Sequence, residues 1–112
     1  MIKIAIPTSD KTSVDEHTGQ ATFFAIATIQ NNSIGHLEFR PNPPHEHNEQ
    51  SGGHSHHQIS ELLNDCKVML VKNIDKDMIA ALSEAGIPYE ETGEDSIANA
   101  IRYYLSEKDT II

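Results

Sequence analysis

Histidines are concentrated in one segment of the sequence, residues 41–57, which reads PNPPHEHNEQSGGHSHH. Five of the seven histidines of the chain lie in it, at His45, His47, His54, His56 and His57. Imidazole can ligate transition metals when neutral and donate hydrogen bonds to anions when protonated. The prolines, glycines and polar residues of the segment disfavour a helix or a central strand. We therefore interpret it as a long metal-related loop, with a solvated surface segment as the alternative.

The residues before this loop predict three strands. Residues 2–7 alternate isoleucine with other residues and end at a proline, which predicts a first strand followed by a polar loop through residue 20. Residues 22–30 are rich in β-branched and aromatic side chains, and residues 34–40 alternate, with Ile34 on the face of His36, Glu38 and Arg40. The intervening residues 31–33, Asn-Asn-Ser, predict a tight hairpin turn, since asparagine tolerates a positive φ.

The residues after the loop predict helices alternating with strands. Ser55 and Gln58 have the form of a capping box, and a helical apolar stripe follows from Ile59 to Cys66. We expect a doubly buried strand at 67–72, a helix at 75–85, an edge strand at 87–89 and a last helix at 92–106. The order β-β-β-α-β-α-β-α predicts a single α/β domain over residues 1–112, a three-layer α/β/α fold with a mixed five-stranded sheet.

This topology predicts where distant residues meet. The loop after the first strand, the loop after the fourth strand and the start of the first helix should lie at the carboxyl edge of the parallel strands, where open α/β sheets bind ligands. His17, from the first loop, should therefore face His54, His56 and His57, of which His54 and His56 are the better pair to chelate one ion. At about 100° per residue His57 points nearly opposite to the helical stripe. His45 and His47 lie further out on the loop.

The amino-acid composition argues against several classes of partner. The formal charge is −9, from 17 acidic and 8 basic residues, which argues against nucleic acid and anionic membranes. The single cysteine, Cys66, fits a reducing cytoplasm, and the apolar run at the start is too short for a signal peptide. We expect Cys66 and Met78 to be core residues and His36 an exposed strand residue. The first strand carries no acidic residue, so nuclease chemistry is not expected.

The order and spacing of several motifs resemble the dinitrogenase iron–molybdenum cofactor biosynthesis family, also called nitrogenase accessory factor-like domains. The matching motifs are the opening IKIAIP, the Glu16-His17-Thr18-Gly19 loop, Asn42-Pro43, Gly52-Gly53-His54 and the turn at 85–87. The resemblance covers nearly the whole chain. It implies a small cytoplasmic domain of ribonuclease H-like topology that is not an enzyme. Such a domain carries an iron–sulfur or molybdenum–sulfur cluster or its precursor, and some relatives hold molybdenum–copper sulfide clusters noncovalently.

The topology and the resemblance together predict a cofactor-binding set of His17, Thr18, Gly19, Ser55 and Asn73. The metal-ligating set would be His17 with the loop histidines, His45, His47, His54, His56 and His57. Two departures stand out. Thr18 replaces the usual phenylalanine, which removes an aromatic wall, and residues 72–75 (KNID) replace a Gly-Gly-rich loop.

Three functions are therefore open. The first is a noncatalytic carrier or accessory domain for an iron–sulfur or molybdenum–iron/copper–sulfur cluster, with a protein acceptor of that cluster as its partner. The second is storage or sequestration of a divalent metal ion such as Ni²⁺, Zn²⁺ or Cu²⁺ by the loop histidines. The third is a protein-interaction domain that has lost its cluster site.

Overall fold

The computed structural model describes residues 2–42 and 56–109 of the chain. Its elements follow the expected order, which confirms the predicted α/β fold. They are β1 (Ile2–Thr8), a 3-10 helix (Thr18–Gln20), β2 (Phe23–Gln30), β3 (Ser33–Pro41), α1 (His56–Leu63), β4 (Val68–Val71), α2 (Lys76–Ala85), β5 (Tyr89–Glu91) and α3 (Ile97–Asp109). In the described part of the chain, no helix is long and apolar enough to cross a membrane.

The five strands form one mixed sheet in the order β3-β2-β1-β4-β5. β2 runs antiparallel to β1 and β3, whereas β4 runs parallel to both β1 and β5. The carboxyl ends of β1, β4 and β5 therefore share one edge of the sheet, as the sequence predicts. The loops that leave this edge form the candidate site.

Alternating strand residues pack against helices on both faces of the sheet. Ile4 and Ile6 of β1 join the core beneath α3, while Ala5 joins the core beneath α1 and α2. The four residues of β4 are all buried and divide between the same two cores. Such a strand reads as a continuous apolar run because neither of its faces meets water.

Local capping decides where two of the helices begin and end. Asp75 caps α2 by accepting a hydrogen bond from the Met78 amide at 2.9 Å, and Gly86 ends it in the left-handed conformation (φ 76°). α3 begins later than the predicted residue 92 because the Ser96 hydroxyl accepts from the Asn99 amide at 3.0 Å. That contact is the side-chain cap of a helix starting at Ile97.

Two other boundaries were predicted incorrectly. α1 ends at Leu63, so Cys66 lies beyond the helix, although it is buried in the core as expected, with 7% of its surface exposed. The last strand covers Tyr89–Glu91 rather than residues 87–89. Pro88 has no N–H to donate, and only its carbonyl joins the pairing, by accepting from the Met69 amide at 3.0 Å.

A β-bulge changes which residues of β3 share a face. Ala27 pairs with Leu37, but Ile29 pairs with Ile34 because the register shifts between Thr28 and Ile29. Directly paired residues lie on the same face of a sheet. Ile34 therefore lies on the α3 side together with Leu37, and the prediction that it shares the face of His36 is wrong.

Candidate functional site

The loop after β1 is built on a network of short-range hydrogen bonds. The Asp10 carboxylate accepts from the amides of Thr12 at 2.9 Å and Ser13 at 2.7 Å, and these bonds hold the pKa of Asp10 well below its usual range. Lys11 takes a positive φ of 71°, and its ammonium lies 4.9 Å from the centre of the Phe23 ring. The Asp10 carboxylate therefore stabilises this turn.

The next residues fold the loop back onto the sheet. The Val14 side chain is buried against α3, and its amide donates to the Asp95 carbonyl at 2.8 Å. The Asp15 amide donates to the Pro7 carbonyl at 2.8 Å, and the Asp15 carboxylate accepts from the His17 amide at 3.1 Å. The backbone around His17 is therefore anchored, while the residue itself is exposed to solvent.

A reciprocal set of hydrogen bonds joins this loop to the loop after β4. Thr18, only 1% exposed, donates its amide and its hydroxyl to the Asn73 carbonyl, at 3.2 and 2.6 Å. The Asn73 side-chain amide donates back to the Glu16 carbonyl at 2.9 Å. Thr18 and Asn73 thus form a polar clasp between the two loops.

An ion-pair cluster braces the same junction. The Lys72 ammonium lies 3.4 Å from a carboxylate oxygen of Glu16 and 2.5 Å from one of Asp95. The hydrogen bond to Asp95 raises the pKa of Lys72 and lowers the pKa of Asp95. Both acids are exposed, so the cluster adds little to stability, but it ties three loops at one edge of the sheet.

These loops line an open pocket of about 390 Å³. Its lining residues come from both loops and are His17, Thr18, Gly19, Gln20, Asn73, Ile74 and Asp75. Thr18 and Gly19 are buried and form its floor, whereas His17, Asn73 and Asp75 are exposed at its rim. The start of α2 borders the pocket through its N-cap, so amide hydrogens and a capping carboxylate are both close by.

The pocket contains four of the residues that the sequence singles out, His17, Thr18, Gly19 and Asn73. Ile74 and Asp75 belong to the loop after β4 that the sequence places at this edge. Gln20 was not anticipated, because its inclusion depends on the 3-10 turn at Thr18–Gln20. Of the other predicted residues, His45, His47, His54 and Ser55 lie outside the described residues. His56 and His57 begin α1, but their side chains are likewise not described.

Metal-ligating side chains do not cluster within residues 2–42 and 56–109. No three His, Cys, Asp or Glu side chains among those described are grouped so as to hold a metal ion. Cys66 is in the core, and burial raises its pKa to about 12, so it remains a protonated thiol at neutral pH. His17 is the one imidazole of the described pocket lining.

Known proteins similar to this chain share its fold. The family model described as "Dinitrogenase iron-molybdenum cofactor" matches residues 1–107. No curated protein matches the sequence. A provisionally named dinitrogenase from Methanocaldococcus jannaschii aligns with a TM-score of 0.71 at 17% identity, covering 96% of this chain and 90% of that one.

Two further solved structures give the same result. A provisionally named NifB protein from Thermotoga has a TM-score of 0.67 at 18% identity, over 96% of this chain and 89% of that one. The apo form of the orange protein from Desulfovibrio gigas has a TM-score of 0.66 at 19% identity, over 96% and 90%. Identities this low establish the shared fold alone.

Proposed function

The chain belongs to the dinitrogenase iron-molybdenum cofactor family, and we propose that it is a noncatalytic carrier or accessory domain for a metal–sulfur cluster. Its cargo would be an iron–sulfur or molybdenum-containing cluster, or the precursor of one. The observation that carries this proposal is the pocket in which two distant loops hold His17 over a buried floor of Thr18 and Gly19. A volume of about 390 Å³ is within the usual range for small-ligand sites.

The donors around the pocket suit a cluster that brings its own sulfides. His17 offers one imidazole for a metal, Asn73 offers a side-chain amide, and the first turn of α2 offers amide hydrogens for sulfide or oxide. Protein-bound iron–sulfur clusters are normally held by cysteine thiolates. Cys66 is buried and protonated, so it does not supply one. We propose that further imidazoles come from the loop, with His54 as the first candidate.

Storage and delivery, rather than catalysis, is the role we propose. The hydroxyl of Thr18 donates to the Asn73 carbonyl at 2.6 Å and so is engaged in holding the pocket together. The carboxylate of Asp75 is engaged in capping α2. We propose that the partner is a protein that accepts the cluster. We also propose a cytoplasmic location, since a single buried thiol suits a reducing compartment.

Reconstitution tests this function directly. Anaerobic incubation of the apo-protein with tetrathiomolybdate and a copper or iron salt should give charge-transfer absorption bands that remain with the protein on gel filtration. His17→Ala and His54→Ala should each weaken the bands strongly. His36→Ala, which removes an exposed imidazole from β3, is the matched control and should leave them unchanged.

Two other outcomes would replace the proposal. Stoichiometric Ni²⁺ or Zn²⁺ binding that is insensitive to His17→Ala, with no cluster uptake, would favour a divalent-metal protein based on the loop histidines. Uptake of neither cluster nor metal would leave a protein-interaction domain.

A further inference from the structure

β3 forms one edge of the sheet and pairs only with β2 among the described strands. It is nine residues long, whereas β5, at the other edge, has three. The outer side of an edge strand presents backbone N–H and C=O groups that can pair with another strand. β3 is therefore the longer of the two edges on which a further strand can add.

The bulge in β3 gathers apolar side chains on the same edge. Ile34 and Leu37, each 37% exposed, are two of the three large hydrophobic residues exposed in the described part of the chain. Both lie on the α3 side of the sheet, since Ile29 and Ala27, their partners on β2, belong to the core beneath α3. Phe39 packs at the margin of that core, so an apolar strip runs along β3 beyond the helix.

The charge of the strand favours a second copy of the same chain as its occupant. The protein has a formal charge of −9, and two copies repel each other over most of their surfaces. β3 carries one acidic residue, Glu38, and one basic residue, Arg40, together with His36. This edge is thus close to neutral within an acidic molecule.

We propose that two copies of the protein pair through β3, antiparallel, about a two-fold axis at Leu37. In this register the two Leu37 side chains lie against each other on the α3 side. On the opposite face, His36 of each copy lies across from Glu38 of the other. Glu38 already contacts Arg40 at 2.7 Å, but its side chain remains 41% exposed and accessible to the imidazole. The two five-stranded sheets become one continuous ten-stranded sheet.

Sedimentation velocity over a concentration series tests the pairing. The wild-type protein should form dimers, and Leu37→Lys, which places two ammonium groups opposite each other at the axis, should raise the dissociation constant about tenfold. His36→Lys should tighten the dimer and His36→Glu should weaken it. Both residues are exposed, so circular dichroism of each variant should be unchanged. A wild-type protein that stays monomeric throughout, or a dimer indifferent to Leu37→Lys and His36→Glu, would overturn the proposal.

Disulfide formation tests the register. Leu37→Cys should give a covalent dimer under mild oxidation, because paired residues at a two-fold axis have adjacent Cβ atoms. Ile34→Cys is the matched control, being equally exposed on the same face but distant from its own copy in this register. The native Cys66 is buried and does not compete. Equal cross-linking of the two variants would overturn the axis at Leu37.

Discussion

Thr18 donates both its amide and its hydroxyl to the carbonyl oxygen of Asn73, a residue 55 positions later in the sequence. The Asn73 side chain donates in turn to the carbonyl of Glu16. His17 lies between Glu16, whose carbonyl accepts one of these hydrogen bonds, and Thr18, whose amide donates another. Its position over the pocket is therefore fixed by a contact between loops rather than by a helix or a strand.

Replacing Thr18 by valine removes the hydroxyl donor while keeping the shape of the side chain. The Asn73 carbonyl retains the Thr18 amide as a partner, so we expect a loss of about 1 kcal/mol in the free energy of unfolding, measured with urea. Cluster uptake should fall by more than the stability change implies, because the loop bearing His17 loosens.

Thr18→Ser is the matched control for this variant, since it keeps the donor and loses only a methyl group. It should retain cluster uptake close to that of the wild type. If Thr18→Val takes up cluster as well as Thr18→Ser does, the clasp is structural and does not position His17.

Sequence patterns predicted the order of the strands and helices because the apolar periodicity is strong within each element. They failed where a single hydrogen bond or an extra residue decides the outcome. Ile34 changes face because β3 contains one more residue than β2 requires there, which alternation alone does not reveal. The start of α3 is set by Ser96, whose hydroxyl accepts a hydrogen bond from the Asn99 amide. This single contact places the first residue of the helix at Ile97 rather than at the predicted residue 92.

The candidate site was partly predictable for the same reason. Parallel strands bring the loops at His17 and Asn73 to one edge, and this follows from the element order alone. The clasp itself does not follow, because nothing in the local sequence indicates that Thr18 and Asn73 are partners. Long-range side-chain contacts of this kind require the three-dimensional structure.

Gly86 and Gly93 provide a matched pair for the cost of a left-handed cap. Gly86 has φ of 76°, and a Cβ there would meet no atom within 4 Å, so Gly86→Ala introduces backbone strain without a clash. We expect it to lower the free energy of unfolding by about 1 kcal/mol. Gly93 also has open space around it but no positive φ, so Gly93→Ala should be neutral or slightly stabilising in the same urea experiment. Equal effects of the two substitutions would contradict the assigned cap.

Arg40 and Asp65 should make stability depend on pH in the acid range. Two hydrogen bonds, of 2.9 and 2.8 Å, join the Arg40 guanidinium to the Asp65 carboxylate and hold the pKa of Asp65 well below its usual range. A carboxyl group with a lowered folded-state pKa stabilises the protein above its unfolded pKa of about 3.9. That contribution is lost as the pH falls from there through the folded-state pKa.

Asp65→Asn isolates this contribution from those of the other acids. Its urea midpoint should lie below that of the wild type at neutral pH, and the difference should shrink as the solution is made more acidic than the unfolded pKa. Glu91→Gln removes an exposed carboxylate from β5 and serves as the control, with a small difference at every pH. A difference for Asp65→Asn that does not change with pH would show that the ion pair contributes nothing and that the loss is one of packing.

Cys66 should take no part in binding the cargo, even though cysteine is the usual ligand of metal–sulfur clusters. Burial raises the pKa of its thiol to about 12, and its side chain packs in the core beneath α1 and α2, away from the pocket lining. Cys66→Ala should therefore retain the charge-transfer bands of the reconstituted protein while losing some stability from the smaller side chain.

The reactivity of the Cys66 thiol checks its burial. In the native wild type, a thiol reagent should react slowly at neutral pH and rapidly once urea is added. Ile34→Cys in a Cys66→Ala background supplies the exposed thiol as a positive control. Loss of the bands in Cys66→Ala at unchanged folding would mean that a thiolate ligates the cluster and that the pocket at His17 is not its site.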